Sequence, residues 1–356
     1  MKYKIIKIND FKSRLRLLLS NYEFWGVTEK VKVPTTGPKF SFERINDIEN
    51  ISWDYDFTIL PPKKILFPPV QTLMKYRENE YIPPQKQYPE LDKNIIIFGV
   101  HSYDIVALNI LDICFLAENA DPYYKQKRDK TILIGIEHKP NEYNFSKDMQ
   151  THQIEKGFDL FLYKINDDYI IAVGSEKGKI ILDELEVKEE ASIDQVFALN
   201  DKRYADAEAI PYKMKMTNHE LPNILSNSEN NKMWEEINEK CFSCGSCNLV
   251  CPTCYCFDVR DNPDIDLKTG FRKRYWDGCM LREFAIVAGG ENFRPNARHR
   301  LMHRFFRKGW YLKEKLGGKL ACVGCGRCSQ TCKAEINILD CFNKLKEEYN
   351  ATCRIS

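Results

Sequence analysis

A mixed α/β domain followed by a mainly helical, ferredoxin-like domain is the architecture that three features of this 356-residue chain predict. Two runs rich in β-branched residues, NIIIFGV at 94–100 and TILIGI at 131–136, bracket a helical pattern, as in a parallel strand-helix-strand unit. Near the carboxyl end the spacing C-x2-C-x2-C-x3-C occurs twice. Between these regions lies a polar, Asn-rich interval, residues 221–231, with the composition of a domain boundary. The expected domains are 1–225, α/β, and 232–356, which carries the cysteine runs with a long insertion, 257–319, between them.

In chain order, residues 9–26 read as a helix capped by Asn9 or Asp10, with Phe11, Leu15, Leu18 and Leu19 at helical spacing. From there to Pro89 the pattern is short strands broken at Pro61-Pro62, Pro68-Pro69 and Pro83-Pro84, and the apolar ILFPPV reads as buried strand and turn. After the 94–100 strand, His101-Ser102-Tyr103-Asp104 turns into a helix expected to bury Val106, Ile110 and Ile113. Parallel sheets bind ligands beyond the carboxyl ends of their strands, where His101 and His138 both fall. As single histidines they read as structural residues before they read as ligands. From Phe158 to Leu182 the period becomes two, and FDLFLYKI, a turn at Asn166-Asp167-Asp168 and YIIAVG form a hairpin. The glycines of Gly174-Ser-Glu-Lys-Gly178 lack the G-x-G-x-x-G pattern and read as a tight turn ahead of a strand. No dinucleotide fingerprint occurs elsewhere, so neither flavin nor nucleotide is expected on this chain.

The cysteines carry the chemistry. The first run is Cys241, Cys244, Cys247 and Cys251; the second is Cys322, Cys325, Cys328 and Cys332. This is the spacing by which bacterial-type ferredoxin sequences hold iron-sulfur clusters, and the fourth cysteine of each run serves the other cluster. Two [4Fe-4S] clusters are expected, one on Cys241, Cys244, Cys247 and Cys332, the other on Cys322, Cys325, Cys328 and Cys251. Structural zinc instead favours two separated pairs of ligands per ion. Seventy residues separate Cys251 from Cys322, and they hold Cys254, Cys256 and Cys279. Those three are buried free thiols or a further metal or cluster site without an obvious fourth ligand. Cys114 and Cys341 read as core, and Cys353 as tail.

Fourteen cysteines suggest metal rather than disulfides in a reducing compartment, and the amino terminus lacks the uninterrupted apolar core of a secretory signal. A cytoplasmic protein without a membrane span is expected. The net charge is only +2, yet between Lys268 and Lys319 fourteen Lys or Arg face four Asp or Glu. A basic stretch of this kind reads as a nucleic-acid patch or a solvated face. Between two anionic clusters it reads instead as charge that stabilises their reduced form, or that attracts an acidic partner. Nucleic-acid binding and a scaffold with purely structural metal are the rival classes.

Several longer strings are more specific than the ferredoxin spacing: ILFPPVQTL, FGVHSYDIVALNILDICFL, DPYY, GFDLFLY, CPTCYCFDV, WDGCM, VAGGENFRP and CVGCGRC. Through them nearly the whole chain resembles the A subunits of anaerobic sulfite reductases and is similar to the β subunits of cytosolic sulfhydrogenases. The ending INILDCFNKL looks closer to the former. The resemblance implies an iron-sulfur electron-transfer subunit of a hetero-oligomeric anaerobic oxidoreductase, itself without a catalytic residue. It would work with a flavin subunit that takes electrons from a pyridine nucleotide and a sirohaem subunit that reduces sulfite to sulfide. The alternative is service to a nickel-iron sulfhydrogenase. The α/β domain would be the assembly surface, with no nucleic-acid or membrane partner. Some relatives carry cysteines where this chain has Tyr103, His138, Asn144 and Ser146, which implies that a thiol site of those relatives is absent here. The second run ends Cys332-Lys333 where Cys-Pro is usual; proline only helps set the turn, so ligation is expected to survive.

Overall fold

The computed structural model describes residues 2–33, 37–78, 80 and 91–353; the Pro83-Pro84 turn and Pro89 lie outside the described residues. The strands are β1 (Lys2–Lys7), β2 (Glu23–Val33), β3 (Gly37–Arg44), β4 (Val70–Arg77), β5 (Ile95–Val100), β6 (Thr131–Ile136), β7 (Leu160–Ile165), β8 (Asp168–Val173), β9 (Phe257–Pro263) and β10 (Thr269–Trp276). Helices of the N-terminal half are α1 (Ile8–Arg14), α2 (Lys63–Leu66), α3 (Ser102–Phe115), α4 (Pro122–Asp129), α5 (Glu176–Glu184) and α6 (Ile193–Ala209). The C-terminal half adds α7 (Leu221–Ser226), α8 (Met233–Lys240), α9 (Ser246–Leu249), α10 (Ala297–Gly309), α11 (Arg327–Gln330) and α12 (Ile338–Cys353).

Among the described residues, seven strands form one sheet in the order β1-β8-β7-β6-β5-β2-β3. The pairs β2-β5, β5-β6 and β6-β7 are parallel, and the flanking pairs are antiparallel. Every residue of β5 and β6 is buried, as expected of central strands covered on both faces. The β7-β8 hairpin turns at Asn166, whose φ of 52° is the left-handed conformation that Asn tolerates.

Four local expectations change. The helix of residues 9–26 stops early: α1 is followed by a 3-10 turn at Leu15–Leu18, and from Glu23 the chain is strand because Phe24 and Trp25 pair with Ile96 and Ile97 of β5. Part of ILFPPV is the short helix α2, which Pro61-Pro62 introduces. Helix α3 buries Ile105, Leu108 and Leu111 in the sheet's core and Tyr103, Ala107 and Ile110 against the C-terminal half, leaving Ile113 exposed. The segment from Gly174 precedes a helix rather than a strand. Ser175 caps α5 by accepting a hydrogen bond from the Gly178 amide, and Ile181, Leu182 and Leu185 bury at helical spacing.

The two halves are tied together by pairing and packing. Residues 221–226 of the Asn-rich interval form α7, whose Leu221, Ile224 and Leu225 bury in the C-terminal core with Trp234, Phe305 and Phe342. β10, from the insertion between the cysteine runs, pairs antiparallel with β4 from the N-terminal half and with β9. A third apolar cluster joins Tyr103, Ala107 and Ile110 of α3 to Leu312, Leu316 and Val323. Among the described residues no helix is long and apolar enough to cross a membrane.

Candidate iron-sulfur centres

The two cysteine runs fold into near-identical loops. In the first, Cys241 follows α8, Ser243 has φ 51°, and Gly245, at φ 75° and ψ −5°, opens the short α9 that carries Cys247. In the second, Cys322 is followed by Gly324 at φ 66° and by Gly326, at φ 75° and ψ −8°, which opens α11 with Cys328. Alternating left-handed residues curl each loop so that its thiols line one cavity, and the amides turn toward sulfur. The Ser243 amide lies 3.4 Å from Cys241 Sγ, and the Gly324 amide is bonded to Cys322 in the same way. At Ser243 the conformation is held at a cost that glycine at position 324 avoids.

Each loop rings a cavity, and the fourth thiol of each ring comes from the other run. Cys241, Cys244, Cys247 and Cys332 line the first, together with Phe242, Met280, Phe305 and Ile336. Cys322, Cys325, Cys328 and Cys251 line the second, with Phe145 and Val323. Cys328 also reaches the wall of the first, which makes the cavities neighbours. Among the described residues no three His, Cys, Asp or Glu side chains converge closely enough to hold one metal ion, so these thiols surround volumes rather than single points.

Helix α10 supplies the charge. Arg300, Arg304 and Lys308, four residues apart, are all buried on one face. Arg300 donates to Ser243 Oγ and to the Met280 carbonyl. Arg304 lines both cavities and donates from Nη2 to the Cys247 carbonyl at 3.1 Å. Burial opposes its charge, but the thiols of Cys247, Cys328 and Cys251 outweigh burial and hold the guanidinium ionised. Its Nη1 is buried with no hydrogen-bond partner among the described residues, although a buried guanidinium nitrogen almost always has one. Lys308 donates to Thr253 Oγ1 at 2.7 Å, and Cys251 and Cys254 likewise hold its ammonium charged against burial. Burial pushes the Cys247 thiol up to about 11 and Cys322 up to about 12, so a metal that binds either must displace its proton to solvent. An orphaned cationic donor between two rings of soft sulfur fits anionic iron-sulfur clusters.

The remaining sequence candidates lie as follows. Cys254, beside Cys251, and Cys279 flank Asn248, whose Nδ2 lies 3.7 Å from Cys254 Sγ and 3.5 Å from Cys279 Sγ, and Cys256 lies near Cys279. The buried Lys63 donates to the Cys254 carbonyl at 2.7 Å and packs over Trp276. His101 is wholly buried, stacked on Tyr55 at 4.1 Å and bonded to the Tyr103 hydroxyl at 2.7 Å. Tyr103, His138, Ser146 and Asn144 come together: the Tyr103 and His138 rings are 4.9 Å apart, and Ser146 Oγ is 3.4 Å from His138 Nε2 and 2.7 Å from Asn144 Oδ1. The four positions thus form a hydrogen-bonded knot. Burial, reinforced by His152, pushes His138 down to about 4, so it is neutral at pH 7.

The family model for a 4Fe-4S dicluster domain matches residues 240–336, which span both runs. The β subunit of sulfhydrogenase 2 from Pyrococcus furiosus is 34% identical over 309 residues, 86% of this chain and 89% of that protein. The chain belongs to the sulfhydrogenase β-subunit family. No solved structure matches it. Within that family the chain is an iron-sulfur electron-transfer subunit.

Sequence reasoning counted the basic residues of the insertion without seeing which of them point inward. The i, i+4, i+8 spacing of Arg300, Arg304 and Lys308, in phase with Leu301 and Phe305, is the signal that places them on the core side. Arg274, also from that stretch, is buried against Asp121 and Gln71. Arg272 and Arg298 pair with Asp261 and Glu235. Arg327 was hidden inside the CVGCGRC motif. It is wholly buried and grips Asp104 of α3 through two bonds of 2.6 and 2.7 Å, and Thr58 through two more. A cavity far roomier than either thiol-lined one lies elsewhere, at the sheet, and no thiol lines it; size alone does not locate the metal chemistry here.

Proposed function

We propose that this chain is the electron relay of a multi-subunit oxidoreductase, holding two [4Fe-4S] clusters by crossed ligation. Cys241, Cys244, Cys247 and Cys332 would hold one, and Cys322, Cys325, Cys328 and Cys251 the other. The observation that carries the reading is the pair of thiol-lined cavities with the unpartnered Arg304 Nη1 between them. When bound, the clusters supply one-electron storage. The chain's own residues set the conditions. The Ser243 and Gly324 amides donate to thiolate sulfur, Arg304 and Lys308 offset negative charge, and Met280 and Phe305 give the first site an apolar inner wall. Residues 232–356 carry the clusters, and residues 1–225 form the surface on which the complex assembles. Electrons would pass singly between a flavin-containing reductase subunit and a catalytic metal subunit.

The named relative favours a nickel-iron hydrogenase as that catalytic partner, and the ending INILDCFNKL favours a sirohaem sulfite reductase. Purifying the native complex anaerobically and assaying nickel and sirohaem absorption separates the two. The relay itself is tested by iron and acid-labile sulfide on the anaerobically prepared chain. About eight of each per chain is expected; about twelve would bring in Cys254, Cys256 and Cys279; colourless protein containing zinc would end the proposal.

A further inference from the structure

A cavity of about 830 Å3 opens beyond the carboxyl ends of β6 and β7, where α6 covers the sheet edge. This is where parallel sheets place ligands, and the volume suits a small molecule. Its lining is mixed, and Ile136, Trp53, Tyr163 and Tyr169 give it an apolar, aromatic part. Its carboxylates are already matched by cations. Asp54 pairs with Lys139 at 3.4 Å, and Lys202 takes both Glu137 and Asp206. Arg203, Lys12 and Lys164 remain without a carboxylate partner among the described residues. Arg203 lies over the Tyr163 ring, 5.1 Å from its centroid; its Nε and His152 Nδ1, on the same wall, are buried with no hydrogen-bond partner among the described residues. The cleft therefore offers positive charge and unused nitrogen within reach of flat apolar surface.

We propose that this cleft binds an aromatic anion of mononucleotide size, its phosphate on Arg203 and Lys164 and its ring against the aromatic wall. Arg203 is suited to the phosphate because a planar guanidinium matches two phosphate oxygens at once. The chain has no glycine-rich loop, so the phosphate is read by side chains rather than by backbone amides. The cleft's floor connects inward, since His138 packs on Tyr103, which lies beside Cys325 of the second run.

The test uses the full chain prepared anaerobically, with flavin mononucleotide, adenosine monophosphate, riboflavin and inorganic phosphate as probes. Equilibrium dialysis should find at least one of the two mononucleotides bound saturably at micromolar concentration, with riboflavin and phosphate each about tenfold weaker or more. Arg203→Met should weaken that binding by about tenfold or more, and the exposed Lys164→Ala by a smaller factor. Visible absorbance and melting temperature on the same samples should be unchanged in both variants. They also keep this result apart from the iron-sulfur reading, which does not depend on the cleft. No saturable binding of either mononucleotide up to about 1 mM overturns the proposal, as does binding that neither variant weakens or that riboflavin matches.

Discussion

The first cysteine run opens toward solvent, with Cys244 exposed and Phe242 73% exposed beside it, whereas the second is pinned beneath the α/β half of the molecule. The difference rests on the position between the second and third thiols. In the first loop it is Ser246, whose hydroxyl is 3.3 Å from Cys244 Sγ at the surface. In the second it is Arg327, locked to Asp104 and Thr58 with no exposed side-chain surface. Residues 143–146 close over the second loop, and a Cβ on Gly324 or Gly326 would stand 2.5 Å from the carbonyls of Phe145 and Tyr143. On Gly245 it would meet only the Leu281 side chain, at 3.0 Å. One spacing therefore gives one loop geometry, while the surroundings divide the labour. On the proposed function, the open site would exchange electrons with another subunit and the closed site would pass them inside the chain.

The largest effect should come from the ligands. Cys247→Ala is expected to remove about half of the iron and to stop physiological electron delivery, while the catalytic partner still works with artificial donors. Cys251→Ala should empty the second site and leave the first, because its thiol lies on the other cavity. Electron paramagnetic resonance of the dithionite-reduced variants distinguishes the two sites. Identical spectra from Cys247→Ala and Cys251→Ala would refute the crossed arrangement.

Next comes the anchor. Asp104→Asn leaves the Arg327 guanidinium buried without its counter-charge, a change that typically costs about 3–5 kcal/mol. Ser246→Ala at the equivalent surface position should cost under about 1 kcal/mol. Denaturant melts of the loaded chain compare them directly, and equal losses would show that the second loop is not held from the α/β half. Asp104→Asn should also deplete the second cluster before the first.

How far the sequence disclosed this arrangement depends on the range of the interaction involved. The αL-prone glycines and the thiol spacing are local, and both loops follow from them. The central strands were legible because IIIFGV and TILIGI bury on both faces whatever lies around them. Pairing at long range was not legible. Glu23 to Val33 carries a helical apolar phase at its start, yet pairing with β5 makes it strand; β4 gives no sign that its partner lies two hundred residues on. Arg327 stands beside a cysteine in the sequence and faces α3 in the fold, a relation that a single sequence does not contain. Ser175 was legible but misjudged, since a capping serine ahead of Ile181, Leu182 and Leu185 spells a helix.

A smaller effect should follow from the cation shared by the two sites. Arg304 lines both cavities, so Arg304→Met should make both clusters harder to reduce, with potentials that move together toward more negative values. Loss of a charge-assisted hydrogen bond worth about 1.5–3 kcal/mol corresponds to a shift of roughly 60–130 mV for one electron. Redox titration followed by electron paramagnetic resonance measures both potentials in one sample. A shift confined to one cluster would mean that the arginine belongs to that site alone, and the symmetry drawn here between the loops would fail.

The last expected effect concerns the knot of polar groups beside the closed site. His138 is pushed down to about 4 by burial and its neighbour His152, below the ordinary value of 6.5, so the folded chain binds fewer protons than the unfolded one between those values. Its stabilising contribution is therefore complete above about pH 6.5 and is lost as the pH falls toward 4. At about 1.4 kcal/mol per unit the loss is on the order of 3 kcal/mol. His138→Gln keeps an amide near Ser146 and removes the titration, so its melting temperature should fall less steeply from pH 7 to pH 4.5 than that of the parent chain. Because the knot packs through Tyr103 against the second run, the acid-labile part of the cluster signal should be the second site's. Bleaching of the exposed first site at the higher pH would reverse that order and would show that access, not the buried histidine, governs acid sensitivity.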